Sequence, residues 1–85
     1  MLLPCVSAAL CVRTRGGESF LFDTRSGDTY EVNASAIAII ECCRQGLTVD
    51  AATARIGSTY QGDTGRIRED ILRTVECFRS LGLVD

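Results

Sequence analysis

At Asn33 the apolar pattern of this chain changes its period. Upstream, apolar residues alternate along short runs separated by turn residues; downstream, they recur every three or four positions. Alternation marks a half-buried strand, and the three-to-four step marks an amphipathic helix. The switch predicts an α+β domain: a three-stranded antiparallel sheet followed by three helices that cover one of its faces. A chain of 85 residues builds one domain, residues 1–85, around one modest core. Little is left over for a deep catalytic cavity.

The strand region reads as two successive hairpins. Ser7–Arg13 is the first predicted strand, with Leu10 and Val12 alternating, and Gly16-Gly17 is its turn. Ser19–Asp23 is the second, with Phe20 and Phe22 on one face and Leu21 on the other. Thr24 to Asp28 is a turn cluster, and Thr29–Val32 is the third strand, with Tyr30 and Val32 on one face. Asn33 suits an N-cap, since its side chain can accept a bond from an orphan N–H. Ala36, Ile37, Ile40 and Cys43 then follow at helical spacing, and Gly46 is a stop. Thr48 caps a second helix carrying Val49, Ala52 and Ile56, and Gly57–Gly62, with Tyr60, reads as a looser stretch. Asp63 or Thr64 caps a third helix, whose Ile67, Ile71, Val75 and Phe78 form one stripe. Gly82 ends it, and Leu83-Val84 can return to the core. The expected core is Phe20, Phe22, Val32, Ile40, Ile56, Ile71 and Phe78. The third strand can lie at an open sheet edge, where unpaired backbone groups accept a partner strand.

Composition removes several classes of function. The net charge is −2, which disfavours non-specific binding to nucleic acid or acidic membranes. All nine basic residues are Arg, and His is absent. Ser and Thr nucleophiles therefore lack a His or Lys base, and the carboxylates are scattered. No catalytic residue, cofactor or metal site is expected. The five cysteines, Cys5, Cys11, Cys42, Cys43 and Cys77, contain no C-x-x-C pair. Cys42 and Cys43 point about 100° apart on a helix, which suits a shared metal poorly. All five cysteines read as small buried apolar residues in a reducing cytoplasm. Arg44, the neighbour of Cys42 and Cys43, is the one feature that favours a reactive thiolate. Met1 to Val12 is apolar apart from Ser7 but shorter than the roughly 20 residues of a membrane span, and it reads as a lead-in to the first strand rather than a signal peptide.

Several short motifs, taken in order, resemble PqqD-like proteins, which are recognition elements for ribosomally made peptides. They are Phe20-Leu21-Phe22-Asp23, Gly27, Tyr30-Glu31-Val32-Asn33, Ala36 with Ile39-Ile40-Glu41, Thr48-Val49, Asp70-Ile71, Val75, Phe78 and Gly82-Leu83-Val84. The chain departs from the family at Ile40, Cys42-Cys43 and Thr74, where an aromatic, two leucines and a Phe are common. The resemblance, from Glu18 to Val84, implies a PqqD-like, winged-helix-like fold. It also implies a non-enzymatic task, which is to bind the leader of a precursor peptide and present it to a modifying enzyme (a radical SAM enzyme, peptidase or cyclase).

The resemblance further implies that the leader joins the third strand beside the third helix. The expected edge is Asp28, Thr29, Tyr30, Glu31 and Val32. The expected wall is Arg68, Leu72, Val75 and Arg79, which share one side of a helix. An apolar floor between two cations suits apolar anchors among acidic residues. Two buried anchors contribute about 3–6 kcal/mol before the leader's ordering cost is offset. Two rival readings remain. A winged helix-turn-helix could bind DNA, but the third helix sets only four Arg against three acids, a weak basic surface. A structural subunit could form a homodimer through the open edge.

Overall fold

The computed structural model describes residues 1–60 and 62–85. The strands are β1 (Leu10–Arg15), β2 (Glu18–Asp23) and β3 (Thr29–Val32), and the helices are α1 (Ala34–Arg44), α2 (Val49–Thr59) and α3 (Thr64–Ser80). The sheet order is β1-β2-β3, antiparallel throughout. Gly16 and Gly17 join β1 to β2 with φ of 60° and 83°. Positive φ at both central residues gives a turn whose twist matches the strands it connects. The β2–β3 turn folds on Asp23. Its carboxylate accepts the Arg25 N–H at 2.9 Å and both an Nε–H and an Nη2–H of the Arg25 guanidinium at 3.3 Å.

Register fixes the two faces of the sheet. Val12 pairs with Leu21, and Leu21 with Tyr30. Leu10, Val12, Leu21, Tyr30 and Val32 thus turn toward the helices, and Leu21 is fully buried. The expected burial of Phe20 and Phe22 is corrected here. Both are half-buried on the opposite face, outside the core, beside Arg13, Glu31, Cys11 and Thr29. Val32 is also only half-buried, although it packs against the core; Ile40, Ile56, Ile71 and Phe78 are buried as expected.

Each helix starts on a side-chain cap. Asn33 Oδ1 accepts from the Ala36 N–H at 2.9 Å, and Thr48 Oγ1 from Ala51 at 3.0 Å. Asp63 Oδ1 takes Gly65 at 2.8 Å. α1 buries Ala36, Ile39, Ile40, Cys42 and Cys43. That is more than one stripe, because the sheet and the other helices surround it. α3 ends in a Schellman turn, with Gly82 at φ 76°. Leu83 N–H reaches the Phe78 carbonyl and Gly82 N–H the Arg79 carbonyl, both at 3.0 Å. That geometry sets buried Leu83 beside buried Phe78.

Three boundaries differ from expectation. β1 begins at Leu10 rather than Ser7, because Ser7 to Leu10 is a turn closed by Leu10 N–H to the Ser7 carbonyl at 3.1 Å. α2 continues to Thr59, through the first part of the stretch read as loose; Gln61, within that stretch, lies outside the described residues. The N-terminal residues form a strap instead of a strand lead-in. Met1 and Leu3 bond to Val49 and Leu47, and Cys5 to Asp85, while Val6 bridges Val84. The strap thereby ties the start of α2 to the end of the chain.

Candidate functional site

Among the described residues β3 pairs only with β2, so its other side is an open edge. Asp23 N–H donates to the Asp28 carbonyl at 2.9 Å, which sets the phase of the ladder. Antiparallel pairs alternate between bonded and non-bonded. Tyr30 and Val32 therefore bond to β2, while Thr29 and Glu31 turn their N–H and C=O groups to the open side. Their side chains lie on the outer face of the sheet and are exposed; those of Tyr30 and Val32 point inward and are half-buried. Partial burial, with Asp28 and Asp23 nearby, pushes the Tyr30 hydroxyl above its ordinary pKa.

One flank of α3 lies alongside this edge. Just after β3, Asn33 and Ser35 share a cleft of about 350 Å³ with Asp70, Arg73 and Thr74, over a floor of Ile39, Ile56, Ile67 and Ile71. Just before β3, Arg25 donates to the Gly82 carbonyl at 2.8 Å. The cleft and the Arg25–Gly82 bond set one flank of α3 on the side of the two ends of β3. The flank they define carries Asp70, Thr74, Cys77 and Leu81, at helical steps of four, three and four. Cys77 and Leu81 are exposed. Sequence reasoning missed this flank; its faint signal was an apolar Leu81 left outside the core stripe just before Gly82.

The structure places the expected wall elsewhere. Arg68 pairs with Asp50 at the start of α2, and Arg79 pairs with Glu76 and donates from Nε to the Asp85 carbonyl at 2.9 Å. Both arginines thus end next to the residues that hold the N-terminal strap. Between them, Val75 is core and Leu72 packs against it half-buried. The five β3-side positions, Asp28 to Val32, stay together on one edge; the four α3 positions do not join them. The reason is helical phase. Positions 68, 72 and 79 lie on the opposite side of the Ile71–Phe78 stripe from 70, 74 and 77.

The remaining chemistry is that of a packed domain. Burial pushes the Cys43 thiol up to about 11, and Cys42 also upward, so the Arg44 neighbour does not make a thiolate of either. Arg44 instead donates to the Leu10 carbonyl at 2.7 Å. The expected burial of all five cysteines is corrected: Cys5 and Cys77 are exposed and Cys11 is half-buried, because none of the three falls on a core-facing position. Among the described residues no helix is long and apolar enough to cross a membrane.

The family model described as "Coenzyme PQQ synthesis protein D (PqqD)" matches residues 18–84. Two solved structures share the fold. "TbiB1 in Complex with the TbiA(beta) Leader Peptide" superposes with a TM-score of 0.82 at 16% identity, covering 95% of this chain and 94% of the other. "Lasso peptide synthetase B1 complexed with the leader peptide" also gives 0.82, at 20% identity, covering 94% of each chain. No curated protein sequence matches.

Proposed function

The chain belongs to the PqqD family, and from that premise we propose that it binds the leader of a ribosomally made precursor peptide by adding it as a fourth strand to β3. The observation that carries this reading is the open β3 edge. Thr29 and Glu31 direct backbone donors and acceptors outward, and a cleft with an isoleucine floor opens just past the end of the strand. The two solved neighbours were both captured with leader peptides. Strand addition draws register from main-chain bonds and selectivity from pockets for alternate side chains. The edge is Asp28, Thr29, Tyr30, Glu31 and Val32, and the facing wall is the Asp70–Thr74–Cys77–Leu81 flank. The cleft floored by Ile39, Ile56, Ile67 and Ile71 takes an apolar anchor of the leader. Arg68, Leu72, Val75 and Arg79 act indirectly, by holding α3 against the core and the strap. The bound leader then presents its core segment to a modifying enzyme in the reducing cytoplasm.

The test is to seek a short precursor gene in the neighbourhood of this one and titrate its synthetic leader calorimetrically, after circular dichroism has shown each variant to be folded. Thr29→Pro removes an outward N–H and sets a ring on the edge, and Leu81→Asp charges the wall. Each should weaken binding by about tenfold or more, the equivalent of about 1.4 kcal/mol. Arg68→Ala should stay within about twofold, as expected of a residue distant from the bound strand. Wild-type affinity in both folded Thr29→Pro and Leu81→Asp would refute this placement of the groove.

A further inference from the structure

Among the described residues no helix covers the outer face of the sheet, yet its central strand displays two phenylalanines there. Phe20 and Phe22 lie outside the core and line a shallow hollow with Arg13, Arg15 and Thr29. The Arg13 guanidinium sits 5.7 Å from the centre of the Phe22 ring. Register arranges this face in rows. One row runs Arg13–Phe20–Glu31 from β1 to β3, the next runs Cys11–Phe22–Thr29, and Arg15 pairs with Glu18 at the hairpin end. The face therefore has a basic edge on β1, an aromatic centre on β2 and an acidic residue on β3.

A uniformly basic aromatic face would suit an acidic partner. This one, with opposite charges on its two edges, complements itself. We propose that it binds a second copy of the chain, with the two sheets stacked about a twofold axis parallel to β2. That rotation lays β1 of one copy over β3 of the other, and it returns the row Arg13–Phe20–Glu31 onto itself in reverse. Arg13 then meets the partner's Glu31, Glu31 meets the partner's Arg13, and the phenylalanines of the two central strands meet on the axis. Stacked sheets sit about 10 Å apart, a gap that Arg and Glu side chains span together. An in-plane axis across the strands would instead set β1 on β1 and its arginines against themselves, so charge selects the first arrangement. Glu18 also falls near the axis, where its cross-strand partner Arg15 offsets its meeting with the partner's Glu18. An isologous contact repeats every pair twice, so one charge reversal disturbs two contacts. The β3 edge is left uncovered, and the inference does not depend on peptide binding.

The face is smaller than a standard interface, so a dissociation constant on the order of tens of micromolar is expected. The experiment is sedimentation equilibrium of the full chain under reducing conditions, from micromolar to millimolar. Wild type should shift from the 9.2 kDa monomer toward twice that mass. Arg13→Glu and Glu31→Arg should each weaken association by about tenfold, since each sets like charges face to face. An equimolar mixture of the two variants should associate again, because the mixed dimer restores opposite charges in both contacts. Arg66→Glu, an exposed residue at the start of α3 away from this face, should leave association intact. A monomeric wild type at millimolar concentration would overturn the proposal and leave the face to some other protein. It would also be overturned by single variants that associate like wild type, by a mixture that fails to recover, or by loss of the dimer in Arg66→Glu, which would point to pairing through another face.

Discussion

Replacing Leu21 by Ala separates the two possible phases of the sheet. Leu21 is fully buried, with Val12 and Tyr30 as its cross-strand neighbours beneath the helices. Deleting three carbons forfeits about 2.4 kcal/mol at about 0.8 kcal/mol per buried methylene. The neighbours cannot fully collapse into the gap, so a cavity cost raises the expected loss to about 3–4 kcal/mol. A domain of 85 residues has about 4–13 kcal/mol in total, so this one change removes a large share. Phe20→Ala and Phe22→Ala remove more atoms, but from an open hollow where water fills the space. Each should cost about 1 kcal/mol, as partly exposed positions do. Urea denaturation followed by circular dichroism, at micromolar protein where self-association is absent, gives all three values with a common slope. If either Phe variant proves more destabilising than Leu21→Ala, the assignment of sheet faces is wrong.

Other expectations concern the ionisable groups. Bonds from the Arg25 side chain and backbone hold the Asp23 carboxyl below its ordinary pKa. A lowered folded pKa adds stability that is present above the unfolded value and lost as pH falls through the folded one. Arg25→Met should therefore be less stable than wild type at neutral pH, with the gap narrowing on acidification below the carboxylate range to the share held by the Gly82 bond. A gap that is independent of pH would remove the ionic part of this argument. Among the thiols, Cys5 and Cys77 should react first with a disulfide reagent at mildly alkaline pH, while Cys43, at about 11, and buried Cys42 should wait for unfolding. Labelling of Cys43 in the native protein as fast as Cys77 would contradict its burial.

The order of elements, the third strand and the first two helix caps were legible in the sequence, and the third to within Asp63 or Thr64, because each rests on local chemistry. Asn33, Thr48 and Asp63 satisfy orphan N–H groups wherever they occur, and Gly82 can take a positive φ at low cost. The sheet phase was harder. In Glu18–Asp23 the two phenylalanines outweigh one leucine, so that strand read alone points the wrong face inward. Reading across the register settles it, since Leu10, Val12, Tyr30 and Val32 all join Leu21. The α3 positions expected to form the wall lie away from the β3 edge for a related reason. Helical spacing groups Arg68, Leu72 and Arg79 correctly, but which flank meets the sheet depends on the Arg25–Gly82 bond and on the strap. Both contacts join residues far apart in the chain.

The strap bears on where this domain can be cut. The family match starts at Glu18, immediately after the glycines of the first hairpin. A fragment trimmed to that boundary would lose β1 and leave β2 and β3 as a lone two-stranded ribbon, which is marginal in water. It would also free the β2 backbone that had paired with β1, creating a second sticky edge opposite the first. The same cut removes the residues that link Leu47, Val49, Val84 and Asp85. Excision at the profile boundary should therefore yield an aggregating fragment, and grafting this module onto another protein requires carrying all seventeen preceding residues with it.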